Sequence, residues 1–148
     1  MNEPTSPAIR WGIIGAGRIA KTFATDIKQA KNACLYAVAS RQLESAQSFS
    51  QLFSINKAYG NYAELLADPN VDAVYIATPH SHHKDQAIAA LRAGKHVLCE
   101  KPATVTPDEL EEVLAVAQQE SRYFMEGMWT YFLPVIKKAQ EWVNAGRI

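Results

Sequence analysis

The stretch Trp11-Gly12-Ile13-Ile14-Gly15-Ala16-Gly17-Arg18-Ile19-Ala20 decides how this chain folds. An apolar run ends abruptly in G-x-G-x-x-A, and an amphipathic pattern begins at once. The run reads as a strand and the following segment as a helix. In such a strand–turn–helix the first glycine permits the tight turn. The second lets backbone approach a ligand without a Cβ in the way, and the small third residue, Ala20, lets helix and strand pack closely. The first-turn N–H groups of the helix have no intrahelical partner, and the helix dipole there favours an anion. A dinucleotide pyrophosphate fits all of these conditions. Glycine pairs also serve ordinary turns, so the strand before and the helix after carry the assignment.

Outward from that turn, strand-like and helix-like segments alternate to the end of the chain. The spacing predicts strand over Arg10–Ile14, then helix from Arg18 to about Ala30 with Ile19, Phe23, Ile27 and Ala30 on its apolar face. Cys34–Ala39 reads as a second strand, and Leu43, Ala46, Phe49, Leu52 and Phe53 mark a second helix. Ala58-Tyr59-Gly60 reads as a short strand and Tyr62–Leu66 as a brief helix. Val71–Ala77 is almost wholly apolar, as befits a parallel strand covered on both faces. Helix follows from about His83 to Leu91, with Gly94 as its left-handed terminator. His96–Cys99 is the next strand. Thr106, Pro107 and Glu109 combine N-cap, first-position proline and capping box for another helix. Tyr123–Glu126 completes the strands, and Pro134 to Ala145 is a last helix stopped at Gly146. This order predicts an α/β Rossmann fold: a doubly wound, mainly parallel sheet with helices on both faces and ligands at the strands' carboxyl ends. The typical strand order puts Cys34 and Cys99 on opposite sides of the first strand, beyond the ~7 Å reach of a disulfide.

Composition agrees with one nucleotide-binding domain over residues 1–148. Hydrophobic residues make up 48% and charged residues 20%, the balance of an ordinary globular domain. Fifteen basic residues against fifteen acidic ones leave no long-range field to draw nucleic acid or anionic lipid. No apolar run approaches the length that spans a bilayer. Met1 to Pro7 is polar and contains proline, without the basic-then-apolar order of a secretory signal. Cys34 and Cys99 lack metal-type spacing and read as buried free thiols in a reducing cytoplasm.

Chemistry concentrates at the predicted strand ends. Where an acidic residue would hydrogen-bond a ribose 2′-hydroxyl, the second strand ends in Ser40-Arg41. A hydroxyl and a guanidinium suit a 2′-phosphate, each charge-assisted bond contributing roughly 1.5–3 kcal/mol. This favours NADP, with NAD as the alternative. Ala77-Thr78-Pro79-His80-Ser81-His82-His83 follows the central strand. Its histidines lack the spacing of a helix-borne zinc pair, and no cysteine or carboxylate cluster accompanies them, so the expectation is a cofactor-lining loop and no metal. Glu100-Lys101-Pro102 ends the following strand at the mouth of the sheet. A lysine there can polarise a hydroxyl or stabilise an alkoxide; on spacing alone, a catalytic and a structural Lys101 stand equal.

Together, G-A-G-R-I-A, V-A-S-R, T-P-H-x-x-H, C-E-K-P and E-G-M-W-T-Y-F-L-P resemble the glucose–fructose oxidoreductase/inositol dehydrogenase (Gfo/Idh/MocA) family, from about Arg10 to Ile148. Within it the NADP-dependent dihydrodiol and D-xylose 1-dehydrogenase branch is nearest. The resemblance implies hydride transfer between nicotinamide and a secondary alcohol of a sugar, polyol or cyclic diol, with Lys101 catalytic. It implies that Gly15, Ala16, Gly17, Arg18 and Ile19 meet the pyrophosphate region, and Ser40 and Arg41 the 2′-phosphate. Ala77, Thr78, Pro79, His80, His83, Glu100 and Lys101 would line the nicotinamide side, with Trp129 closing the pocket or serving as a core tryptophan. Family members commonly carry arginine where this chain has Tyr131. They continue into a C-terminal domain that supplies the substrate wall and the oligomer interface, so a homo-oligomer is expected only with that domain. A non-catalytic NADP-binding sensor or subunit, and an NAD-assisted hydrolase or lyase, are the competing functions.

Overall fold

The quoted apolar run is the first strand of a six-stranded sheet in a computed structural model that describes residues 8–148. The polar stretch Met1 to Pro7 lies outside the described residues. β1 (Ile9–Ile14) leads through α1 (Arg18–Asp26) to β2 (Ala33–Ala39), then α2 (Leu43–Phe53), β3 (Lys57–Tyr59) and α3 (Tyr62–Ala67). The chain then returns to the centre as β4 (Ala73–Ile76) and continues through α4 (His83–Arg92), β5 (His96–Cys99), α5 (Pro107–Gln119) and β6 (Phe124–Glu126) to α6 (Pro134–Asn144). The order across the sheet is β3-β2-β1-β4-β5-β6, and every pairing is parallel. Among the described residues no helix is long and apolar enough to cross a membrane.

Alternation along the central strands divides the core in two. Ile14, Val74, Ile76, Val97 and Cys99 point to one face, where α4 and α5 cover them with Ala87, Ala90, Leu91, Val113 and Ala117. Ile13, Val38 and Tyr75 point to the other, under Ala20 and Ala24 of α1 and Ala46 and Phe49 of α2. Small residues on α1 let it sit close to the sheet. This corrects part of the expected apolar stripe of α1: Ala20 and Ala24 are buried, while Ile19, 42% exposed, and Ala30 are not. Phe23 packs against the core and Ile27 is buried, as expected. The helix also ends earlier, at Asp26, and a 3-10 turn over Ile27–Gln29 completes the segment.

Local signals elsewhere behave as their chemistry requires. Gly94 has φ +77° behind α4. The Thr106 side chain accepts from the Glu109 N–H at 3.3 Å at the start of α5. The reciprocal half of the capping box shifts by one residue, because Glu109 Oε2 accepts from Val105 N–H at 2.9 Å. Cys34 corrects a second expectation: it is exposed at the edge of β2, and only Cys99 is buried. Burial, reinforced by the neighbouring carboxylates, pushes the Cys99 thiol up to about 12.

The opening turn is tight for a stated reason. Gly15 has φ +99°, and a Cβ on it would stand 2.9 Å from the Ala77 carbonyl oxygen. A Cβ on Gly17 would meet nothing within 4 Å. Gly15→Ala should therefore cost about 2 kcal/mol of folding stability, and Gly17→Ala less than about 1 kcal/mol, the scale of a changed N-cap. Denaturant unfolding measures both, and equal losses would contradict the assigned roles. A thiol reagent should titrate Cys34 alone in the folded chain and Cys99 only after denaturation; rapid labelling of both in the native state would contradict the burial of Cys99.

Candidate functional site

The sheet changes winding direction between β1 and β4, and there the two outgoing loops separate and leave a crevice. A cleft of about 420 Å³ opens at this point. Gly15, Ala16 and Gly17 form its floor at the start of α1, and Ser40 and Arg41 form one end. Ala77, Thr78 and Pro79 form the facing wall. Backbone bonds hold these loops at defined heights: Gly15 N–H donates to Ala39 O at 2.9 Å, Ala77 N–H to Ile14 O at 2.8 Å, and Ser40 N–H to Tyr59 O at 3.1 Å. Gly17 is the N-cap of α1 and offers no side-chain cap to the first-turn N–H groups, and a Cβ on it would meet nothing within 4 Å. That cradle, which Gly17 leaves unobstructed, fits a pyrophosphate.

Ser45, Tyr62 and Gln86 complete the cleft and were not singled out in the sequence, while His82 brings the loop expected to line the cofactor into it. Gln86 lies one helical turn into α4, and its carbonyl accepts from Thr78 Oγ1 at 2.5 Å. Its signal was the i, i+3 spacing from His83, which puts both side chains over one turn. No acidic side chain is among the residues lining this cleft.

A second, more apolar cavity of about 570 Å³ lies beyond α1, toward β5 and β6. Ile19, Phe23, Tyr75, Glu100 and Trp129 line it. Phe23 stacks on Tyr75, ring centroids 3.9 Å apart and planes 16° apart. The Tyr75 hydroxyl donates to Glu100 Oε1. Burial first, and this hydrogen bond second, push the Tyr75 hydroxyl well above the usual tyrosine range, so it stays a donor. Glu100 Oε2 in turn accepts from Lys101 N–H at 3.3 Å. Tyr75 went unnoticed in the sequence, yet a hydroxyl in an otherwise aliphatic, doubly covered strand must find a partner. Trp129 is 61% exposed at the rim of this cavity.

The remaining expected residues divide. Lys101 and Arg18 are exposed, and among the described residues the Lys101 ammonium is paired with no carboxylate. His80 is exposed beside the cleft, whereas His83 is fully buried. His83 therefore does not reach the cleft surface; its ring nitrogens lie 2.8 Å from Pro102 O and 2.8 Å from Thr78 O. Among the described residues, no group of three or more His, Cys, Asp or Glu side chains is placed to hold a metal ion.

Comparison with known proteins places this geometry. Trans-1,2-dihydrobenzene-1,2-diol dehydrogenase of Mus musculus is 43% identical over 95% of the chain. D-xylose 1-dehydrogenase (NADP(+)) of Hypocrea jecorina is 38% identical over 95%. The chain spans 43% and 39%, respectively, of the length of these two relatives. A crystal structure of a 3-ketoreductase from Actinomadura kijaniata, in complex with NADP and TDP-benzene, superposes with a TM-score of 0.89 at 32% identity, over 95% of this chain and 43% of that one. The model of the Gfo/Idh/MocA oxidoreductase family, NAD-binding Rossmann fold, matches residues 9–128. With its cleft, its glycine turn and the E-K-P element at the mouth of the sheet, the chain belongs to the Gfo/Idh/MocA oxidoreductase family.

Proposed function

We propose that this chain is the nucleotide-binding half of an NADP-dependent oxidoreductase acting on a secondary alcohol of a sugar, polyol or cyclic diol. The observation that carries the cofactor choice is the pairing of Ser40 and Arg41 in the same cleft as Gly15–Gly17, with no carboxylate among the lining residues. An acidic residue there would repel a 2′-phosphate, whereas a guanidinium meets it with a charge-assisted, bidentate pair. The name of the xylose dehydrogenase relative and the bound NADP of the Actinomadura ketoreductase support the same choice.

When bound, NADP supplies the hydride chemistry at its nicotinamide ring. The chain's part is to hold and orient. Gly15, Ala16, Gly17, Arg18 and Ile19 take the pyrophosphate side and Ser40 and Arg41 the 2′-phosphate. Thr78, Pro79 and His80 bound the nicotinamide side, with Ile19, Glu100 and Trp129 facing it from the apolar cavity. Lys101 is the catalytic residue of this reading. Its ammonium, paired with no carboxylate among the described residues, would hydrogen-bond the carbonyl oxygen in the reduction direction and give it a proton as negative charge develops there. The neutral amine would take that proton back in oxidation. The Tyr75–Glu100 pair anchors the backbone from which Lys101 projects.

NADPH should bind this chain at least about tenfold more tightly than NADH, equivalent to about 1.4 kcal/mol. Fluorescence titration checks this, and Arg41→Ala should abolish most of the preference. Equal affinities, or an unchanged preference in Arg41→Ala, would contradict the assignment. In the protein carrying the substrate domain, Lys101→Ala should lower kcat by roughly 10²–10⁴, the scale of a lost acid–base participant. Steady-state kinetics reads that loss against a nearly unchanged NADPH affinity; a near-normal kcat would remove Lys101 from the chemistry.

A further inference from the structure

We propose that His83 is a positioning residue: its ring bridges the loop that carries Lys101 and the loop at the carboxyl end of β4, setting the two against each other. The bridge is direct. His83 Nδ1 lies 2.8 Å from the Pro102 carbonyl oxygen, and Nε2 lies 2.8 Å from the Thr78 carbonyl oxygen. The ring is fully buried, so neither carbonyl exchanges this partner for solvent. Pro102 is the residue after Lys101, and Thr78 lies in the wall of the cleft. One rigid ring thus spans the loops that follow β4 and β5.

The surrounding contacts divide in the same way. On the Lys101 side, Lys101 N–H donates to Glu100 Oε2 at 3.3 Å and Ala103 N–H to Glu126 Oε1 at 2.8 Å. On the β4 side, Thr78 Oγ1 donates to Gln86 Oε1 at 2.5 Å and His82 N–H to Pro79 O at 3.0 Å. His83 is the one described side chain hydrogen-bonded to both Thr78 and Pro102. Both of its partners are acceptors, so the doubly protonated ring donates to both, and either neutral tautomer donates to one alone. Histidine suits the task because its two nitrogens point from opposite sides of a planar ring. Asparagine places an amide nitrogen near the Nδ1 position, and glutamine places one near the Nε2 position; each replaces half of the bridge.

That asymmetry gives the test. In the 148-residue chain, His83→Gln keeps a donor for Thr78 and releases Pro102. Hydrogen exchange at the Ala103 amide should accelerate by about tenfold or more while the His82 amide stays near its wild-type rate. His83→Asn should do the reverse. Equal acceleration of both amides in both variants, or of neither, would overturn the bridge and leave His83 an ordinary core histidine. Should either variant fail to fold, ¹⁵N spectroscopy of the wild-type ring decides: a slowly exchanging proton on each nitrogen supports the bridge, and a bare or freely exchanging nitrogen overturns it. The functional consequence rests on the NADP reading above: His83→Gln should retain NADPH affinity within about threefold and lose the shielding of Lys101 from an amine reagent by bound NADP. A wild-type chain that binds no NADPH would refute the NADP reading, while the exchange measurement would still judge the bridge.

Discussion

The close approach of Gly15 to the Ala77 carbonyl is the constraint on which the site depends. A Cβ at that point would stand 2.9 Å from the oxygen, and the backbone there has φ +99°. Both facts require glycine. Because Gly15 turns so sharply, only three residues separate β1 from α1, and the helix begins at the carboxyl ends of β1 and β4. Ala77 N–H bonded to Ile14 O locks the register of these two strands at the same level. The cleft is the space left between two loops that leave the sheet in opposite directions.

The two edges of the sheet carry different polar chemistry. At the amino-terminal edge, charges are consumed by structure. Arg10 pairs with Asp72 at 2.8 Å, and this hydrogen-bonded partner holds the Asp72 carboxyl below the usual carboxylate range. The buried Lys95 ammonium donates to Asp68 O and Val71 O. At the carboxyl edge, Arg18, Arg41 and Lys101 are exposed and paired with no carboxylate among the described residues. Cations free of internal partners, gathered where helix and strand termini converge, are what an anionic cofactor requires. Tyr75 and His83 stand apart from both groups: each is a buried polar side chain in the core below the carboxyl edge, and each spends its hydrogen bonds on a site loop.

Most of the architecture was legible because local and global signals agree. The glycine turn, the apolar run around Val74, the Thr106–Pro107 helix start and the Gly94 stop each have a local physical cause. Element types and strand order follow from them. Long-range contacts were less legible. Periodicity placed Phe23 correctly against the core but put Ile19 there too. Ala20 and Ala24 are instead the residues of α1 fully buried on the sheet, because closeness outweighs side-chain size at that crossing. Cys34 was expected inside, yet it lies on the exposed part of β2. The site followed the same pattern. Gly15–Gly17, Ser40 and Arg41 occupy the cleft that the motif and the strand ends implied. His83 was implied only by resemblance, as a lining residue, and its burial depends on Pro102, 19 residues away. No periodicity reports a contact of that kind.

The central claim is that the carboxyl-edge cleft between β1 and β4 takes the dinucleotide. Titration of NADP⁺ into the ¹⁵N-labelled chain, followed amide by amide, tests it directly. Saturable shifts should concentrate at Gly15, Gly17, Ile19, Ser40, Arg41 and Thr78, leaving Arg10, Asp72 and Lys95 at the opposite edge unmoved. Absence of saturable shifts, or shifts centred on that opposite edge, would contradict the account.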